Sequence, residues 1–292
     1  MKKFVLAYNP VSGHAELKRR LDAFIAAFQK RDAMVIPYRT KKDNRGFDQF
    51  VAEAAPDGIL AAGGDGTVHI IANLMMHAHI DLPLGIIGSG TSNDFATNLH
   101  LNDDLGQYLD SICEGLTRPV DLGRVGEDYF INVVSAGMMT GIAHEVNARM
   151  KNALGKMAYY LRGIGELPKL RSFQMKLTAD GEDYDMDAFL FLIINSATVG
   201  SMKDVAAAAK VDDGKLDFLA VKRGNPMGVA AVTADLFKGK PVDQHPSVLH
   251  VQAKTFDISS QEPMTSDLDG EIGPQLPLHV ETVPHALEIF CL

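Results

Sequence analysis

The sequence predicts a two-part fold: an N-terminal three-layer α/β domain followed by a C-terminal β-sandwich domain. Three observations lead there. In the first hundred residues a short apolar run, a glycine-rich turn and a helix-like stretch recur three times. Strands alternating with helices imply βαβ units and a mainly parallel sheet. After Asp121 the chain becomes strand-dense, with turn residues between short apolar runs, which suggests a sandwich. The length of 292 residues, 46% apolar and 22% charged, suffices for one large or two smaller domains. The expected division is 1–122 for the α/β domain and 123–284 for the β-rich domain, with the tail 285–292 a candidate to return to the first.

Taken in order, residues 4–8 form the first strand candidate and lead into Asn9-Pro10-Val11-Ser12-Gly13. Behind that turn Leu17, Leu21, Phe24, Ile25 and Phe28 recur at helical spacing. Residues 34–38 are a further strand. The run 58–62 leads into Gly63-Gly64-Asp65-Gly66-Thr67, and 68–76 reads as helix. The run 84–87 leads into Gly88-Ser89-Gly90-Thr91-Ser92-Asn93-Asp94, then Phe95-Ala96. In the second half, strands are expected at 130–135, 174–178, 188–194, 215–221, 249–253 and 278–281. Those at 174–178 and 188–194 should pair around Asp180-Gly181. A mixed helical stretch is expected at 145–167.

Composition excludes several classes. The formal net charge is −9, and a general nucleic-acid binder needs a Lys/Arg surplus to neutralise phosphates. Cys113 and Cys291 lie far apart and suggest neither a disulfide framework nor a zinc site, which fits a reducing cytoplasm. The five apolar residues 4–8 are too few for a signal-peptide core. The longest later apolar run, 188–194, is far short of a membrane span, so membrane contact is expected to be peripheral. His77 and His79 are close in sequence, but spacing supplies no third metal ligand. The thirteen methionines read as core filler.

The glycine-rich turns are the chemical signal. Glycines let backbone approach a ligand, and successive N–H groups ahead of a helix form an anion nest. Asp65 inside such a turn would repel phosphate unless a cation bridges them, so Mg²⁺ is implied. A plain strand–turn–helix junction is the alternative for one such loop, and the second turn at 88–94 weighs against it. No G-x-x-x-x-G-K-[ST] occurs, and no G-x-G-x-x-G opens the first helix. Phosphate charge must therefore be met by backbone N–H, Mg²⁺ and basic residues from elsewhere.

These motifs resemble those of lipid kinases with a diacylglycerol kinase catalytic domain, especially the soluble bacterial enzymes. Residues 9–13 look like N-P-x-S-G, 63–67 match G-G-D-G-T, and 88–96 are similar to G-x-G-T-x-N-D-F-A. Asp121-Leu122-Gly123, Phe130-Ile131-Asn132, Ser135-Ala136-Gly137, Asp213-Gly214-Lys215-Leu216-Asp217 and Asp269-Gly270-Glu271 follow in order. The resemblance runs over essentially the whole chain. It implies an N-terminal domain of the NAD kinase/phosphofructokinase-like nucleotide-binding type and a β-sandwich that holds the lipid acceptor. It implies ATP as phosphoryl donor, contacted by Asn9, Pro10, Val11, Ser12, Gly13, Thr40, the 64–70 turn with Gly63, Gly64, Gly66 and Thr67, and by Gly90, Thr91 and Asn93. Asp65, Asp94 and Asp121 would surround the catalytic Mg²⁺. Glu271 looks like the base, with Asp269 beside it. By local sequence alone Asp269-Gly270-Glu271 is a solvated hairpin turn, and only the family pattern argues otherwise. Some bacterial members hold a structural Mg²⁺ that would here take Asp213 and the carbonyls of Lys210 and Lys215. An ordinary Asp-Gly turn is the alternative.

Two departures from the pattern stand out. His69 and Ile70 occupy places where the family usually has Asn and Glu, and His14 stands where Lys is frequent. Lys18, Arg19 and Arg20 follow on the same helix and would compensate, or form a solvated face. Between 145 and 171, six basic residues (Arg149, Lys151, Lys156, Arg162, Lys169 and Arg171) face only Glu145 and Glu166, with Tyr159 and Tyr160 interleaved. Such a stretch would dock on an anionic membrane surface or pack as a solvated helix. The implied reaction is γ-phosphoryl transfer from ATP to the hydroxyl of diacylglycerol, giving phosphatidic acid. The alternatives are another lipid acceptor (sphingoid base, ceramide, prenol) or a non-catalytic nucleotide- or lipid-binding regulator. The expected partners are the lipid substrate and a peripheral membrane surface, with no nucleic acid; a second copy of the chain is a candidate.

Overall fold

Strand β1 (Lys2–Tyr8) buries residues 4–7 completely, as a strand covered on both faces must. The computed structural model describes residues 1–10, 16–41, 43–88, 93–101, 103–137 and 172–292. After β1 come α1 (Glu16–Gln29), β2 (Ala33–Arg39), α2 (Phe47–Ala54), β3 (Gly58–Gly63), α3 (Asp65–His77), β4 (Leu84–Gly88), α4 (Asp94–Asn98) and α5 (Leu105–Glu114). These belong to a first unit, Met1–Val120 with His285–Leu292; the second is Asp121–Pro284.

The first unit is an α/β sheet in the order β4-β3-β1-β2, every pair parallel. Near the C-terminus Ile289 pairs in parallel with Leu84 and adds the returning chain to this sheet. β2 lies on one side of β1 while β3 and β4 lie on the other, so the winding direction reverses between β1 and β3. Ligands of open α/β sheets bind at such a switch point, outside the carboxyl ends of the strands. The register levels those ends: Tyr8 is opposite both Arg39 and Ala62, and Gly63 is opposite Gly88. Underneath, the Phe4 ring packs on Phe28 of α1 at 5.6 Å and on Phe290 at 5.9 Å. The buried Tyr108 hydroxyl accepts the Ile86 N–H at 3.0 Å, and burial pushes its phenol well up from the ordinary value.

The second unit is antiparallel. Its elements are β5 (Thr117–Val125, which enters it from the first unit), β6 (Asp128–Phe130), β7 (Val133–Gly137), β8 (Phe173–Ala179), β9 (Glu182–Ile194) and β10 (Leu216–Lys222). Helix α6 (Pro226–Phe237), β11 (Val248–Ala253), β12 (Thr255–Ser260), β13 (Thr265–Leu268), β14 (Glu271–Gln275) and β15 (Leu278–Phe290) complete it. The path runs β14-β13-β7-β9-β8-β12-β15, and β10 joins β9 to β11. Successive strand residues point to opposite faces, and β10 uses this to serve two cores. Phe218 stacks between Phe191 (5.7 Å) and Phe256 (6.1 Å) in one core. Leu219 packs with Val232 of α6 and Val248 in the other. The β-sandwich expected from strand density is the observed architecture.

Several boundaries differ from expectation. The strand expected at 130–135 is two, β6 and β7, split at Ile131-Asn132 because those N–H groups serve a carboxylate instead of a ladder. The strands expected at 188–194 and 278–281 are the ends of thirteen-residue strands. The acidic run 182–187 in β9 and the Pro284-His285 interruption in β15 masked the strand pattern. Helix α6 and strand β12 escaped notice. The helical stretch expected at 145–167 lies outside the described residues.

Candidate functional site

In the first unit the described candidates for nucleotide contact sit along one edge of the sheet. Asn9 follows β1, and its N–H reaches the Ala62 carbonyl at 3.3 Å. Thr40 follows β2; its N–H and hydroxyl both donate to the Tyr8 carbonyl, at 2.9 and 3.1 Å, and it is buried. Gly63 and Gly64 close β3 and start α3, whose first residue is Asp65. A Cβ at Gly63 would lie 2.2 Å from the Thr67 hydroxyl oxygen, so only glycine lets the first turn of α3 fold back on the strand. Gly64 caps α3 without a side chain, which leaves the positive end of the helix dipole next to the loop. Val11, Ser12, Gly13, Gly90 and Thr91 lie outside the described residues; Pro10 is described.

Asp65 and Asp94 come together. The Asp65 carboxylate accepts the Asp94 N–H at 2.7 Å and so ties the start of α3 to the start of α4. Asn93 enters α4 in the left-handed conformation (φ 50°), and Asp94 is buried. Of the two departures on α3, His69 accepts an Asn73 amide N–H on its carbonyl, and Ile70 is 36% exposed.

The remaining candidates belong to the second unit. Asp121 is fully buried. Its N–H donates to the Val211 carbonyl at 2.6 Å, and its carboxylate accepts the Gly214 N–H at 2.7 Å, so it holds the Asp213-Gly214 turn. In that turn Asp213 accepts the Lys215 N–H at 3.1 Å. Burial pushes the Asp213 carboxyl up from the ordinary value, and the neighbouring Asp217 and Asp121 add to this against the Lys215 N–H. The site therefore concentrates negative charge. Lys210 and Lys215 are both exposed. Asn195, which the sequence reading missed, donates its amide to the carbonyls of Asp121 (2.7 Å) and Ile131 (2.9 Å). Its Oδ1 is buried with no partner among the described residues. An oxygen ligand set with excess negative charge fits Mg²⁺. No group of three His, Cys, Asp or Glu side chains poised for a metal occurs among the described residues.

Asp269-Gly270-Glu271 is indeed a hairpin turn, joining β13 to β14, with positive φ at Asp269 (51°) and Gly270 (94°). That is the two-residue geometry for which Asp-Gly is suited. It is not a solvated one. Asp269 is buried, and its carboxylate accepts three successive backbone N–H groups: Ile131 at 2.8 Å, Asn132 at 3.0 Å and Val133 at 2.8 Å. The Asp269 N–H returns to the Val133 carbonyl at 2.9 Å. Glu271, in contrast, is exposed at the first position of β14. The clamped segment is itself fixed: the Asn132 amide donates to the Thr198 carbonyl at 3.0 Å, and the Ser196 hydroxyl donates to Asn132 Oδ1. Asn132 belongs to the Phe130-Ile131-Asn132 motif, but Ser196 is neither charged nor glycine-flanked, and nothing in the linear sequence flags it.

Comparison with known proteins gives the family. Residues 3–125 match the family model described as the diacylglycerol kinase catalytic domain. Residues 132–291 match the YegS C-terminal NAD kinase beta sandwich-like domain. A diacylglycerol kinase of Staphylococcus aureus (strain bovine RF122 / ET3-1) is 30% identical over 99% of this chain and 92% of its own length. The chain belongs to the diacylglycerol kinase family. The diacylglycerol kinase of Bacillus subtilis (strain 168) is 31% identical over 95% of this chain and 92% of its own. The crystal structure of a diacylglycerol kinase from Bacillus anthracis str. Sterne aligns with TM-score 0.79 at 26% identity, covering 100% of this chain and 97% of that one. This is a kinase family, and the expected fold class and family resemblance both hold.

Proposed function

We propose that this member of the diacylglycerol kinase family transfers the γ-phosphoryl of ATP to the hydroxyl of diacylglycerol, giving phosphatidic acid. One observation carries the proposal furthest: the levelled carboxyl ends of β1, β2 and β3 at the switch point, with Asp65 locked to the start of α4. Asn9, Thr40 and the Gly63–Thr67 turn would receive the nucleotide, and backbone N–H groups at the start of α3 would face phosphate oxygens. Asp65, Asp94 and Asp121 would hold the catalytic Mg²⁺, and Asp213 with the Lys210 and Lys215 carbonyls a structural one. Bound Mg²⁺ neutralises developing phosphate charge.

The protein's own part is positioning and proton transfer. Glu271, exposed on a turn held rigid by Asp269, would take the proton of the acceptor hydroxyl as the phosphoryl group moves. Asp269 has both carboxylate oxygens occupied by backbone N–H, so its part is to place Glu271. No helix among the described residues is long and apolar enough to cross a membrane; peripheral contact with the lipid surface is part of this proposal.

A labelled-ATP transfer assay with Mg²⁺ tests this, with mixed micelles carrying diacylglycerol, a sphingoid base, ceramide or a prenol in parallel. Label on diacylglycerol, lost in Glu271→Ala, is the expected result. Label on another lipid would replace the acceptor. No label on any lipid with ATP binding intact would favour the non-catalytic regulator, the reading that Ile70 in place of a carboxylate motivates.

A further inference from the structure

Helix α6 is apolar on both sides. Val229, Val232 and Leu236 face the core of the second unit. The opposite side carries Met227, Ala230, Ala231, Ala234 and Phe237, all exposed, with Met227 at 77% and Phe237 at 39%. At 100° per residue these five cover a stripe of about 120°. A surface helix ordinarily turns charge outward, and one that is apolar all round is ordinarily buried. Here the outer stripe holds no charged side chain until Lys238. Met227 also departs from the expectation that the methionines fill the core.

The ends of the helix supply the complement. Lys222 and Arg223 precede it and Lys238 and Lys240 follow it, against Asp235 on its flank. Arg223 meets Asp187 at 3.2 Å and Lys240 meets Asp235 at 4.0 Å, all four side chains at least 32% exposed. Such exposed pairs are weakly held. A chain of net charge −9 thus gathers cations at both ends of a bare apolar stripe. This is the pattern of a helix lying in the plane of a membrane interface, with long basic side chains reaching the headgroups.

We propose that the outer face of α6, with the cations at its ends, docks on the surface of an anionic lipid bilayer and brings the protein to its acceptor. The inference rests on the lipid-kinase reading for its purpose, but its test does not. The full-length chain is floated with vesicles of phosphatidylglycerol and phosphatidylcholine, and with phosphatidylcholine alone. The variants are Met227→Glu/Ala234→Glu and, separately, Lys238→Glu/Lys240→Glu. Turnover of a monomeric short-chain diacylglycerol and sedimentation mass are measured alongside.

The expected result is flotation with the anionic vesicles only, at least tenfold weaker in both variants, with turnover of the monomeric substrate and thermal melting unchanged. Wild-type flotation equal to that of the variants, or none at all, overturns the docking face even if the kinase reading survives. Flotation lost in the variants while wild type phosphorylates no lipid supports the docking face and sinks the kinase reading instead. A fall in sedimentation mass in Met227→Glu/Ala234→Glu without loss of flotation assigns the stripe to a second copy of the chain and overturns the proposal.

Discussion

Replacing Asp269 by asparagine separates the clamp from the chemistry. The side chain keeps its shape, but one carboxylate oxygen becomes an NH₂ donor. If Oδ1 is retained, it still accepts from Asn132 and Val133, and the new NH₂ confronts the Ile131 N–H now 2.8 Å from Oδ2. One buried N–H loses its partner and two donors oppose each other, while the other two bonds lose their charge. An unsatisfied buried donor costs about 1–3 kcal/mol, and a bond to a charged acceptor is worth about 1 kcal/mol more than one to a neutral acceptor. A total of about 3–5 kcal/mol follows. For a unit of this size about 1 kcal/mol moves the melting temperature by roughly 2–4 °C, so a fall of about 6–20 °C is expected for the second unit. Glu271→Gln supplies the contrast: an exposed residue whose loss should leave melting within about 1 °C and lower turnover by roughly 10²–10⁴-fold. Calorimetry and transfer assays on both variants decide it. Asp269→Asn melting like wild type while losing all turnover would refute the clamp and make Asp269 a chemical participant.

Three further outcomes follow from the geometry. Gly63→Ala should push Thr67 and the first turn of α3 away from β3, since the new Cβ would meet the Thr67 hydroxyl at 2.2 Å; nucleotide titration calorimetry should show affinity lowered at least tenfold with the second unit's melting unchanged. Asp65→Ala should abolish turnover and, by freeing the Asp94 N–H, raise hydrogen exchange at the start of α4; unchanged exchange there would break the proposed link. His250 donates to the buried Asp217 at 2.6 Å, and this bond raises its pKa above the ordinary value. Protons then bind more tightly in the folded state, so this stabilisation is complete below about pH 6.5 and is lost as pH rises through the raised value. Melting temperature should fall across that range in wild type and stay flatter in His250→Gln.

The first unit was legible because period and punctuation agree there. Buried runs in β1 and β3 end in glycine-rich turns, and Phe24 and Phe28 keep helical spacing. The motifs follow strand ends, and parallel topology alone brings strand ends to one edge. The second unit was less legible because its strands outrun their apolar cores. β9 starts with the polar Glu182-Asp183 and β15 ends beyond Pro284. A 3.6-residue apolar face on α6 went unseen because its outer face is apolar too. The role of Asp269 could not be read at all: its partners lie 136–138 residues away, and what they offer is backbone, which has no letter in the sequence.

That last point extends beyond one residue. Asp65, Asp121, Asp180 and Asp269 each accept a backbone N–H from a segment 29, 93, 74 or 136–138 residues away. At Asp180 burial opposes the charge, yet the Lys254 and Thr255 N–H groups and the Thr255 hydroxyl hold the carboxyl below the ordinary value. An aspartate is short and loses little rotamer freedom, so it fixes one loop against another in a way a glutamate, one methylene longer, does not. The single acidic motif residue that is a glutamate, Glu271, is exposed and outside these clamps. Asp269→Glu therefore keeps the charge and the acid but should still destabilise the hairpin, whereas Glu271→Asp should leave it intact and withdraw the carboxylate from the acceptor. Lowered melting in the first and lowered turnover at normal melting in the second is the expected pair. The reverse pair would mean that reach places the hairpin and charge alone does the chemistry.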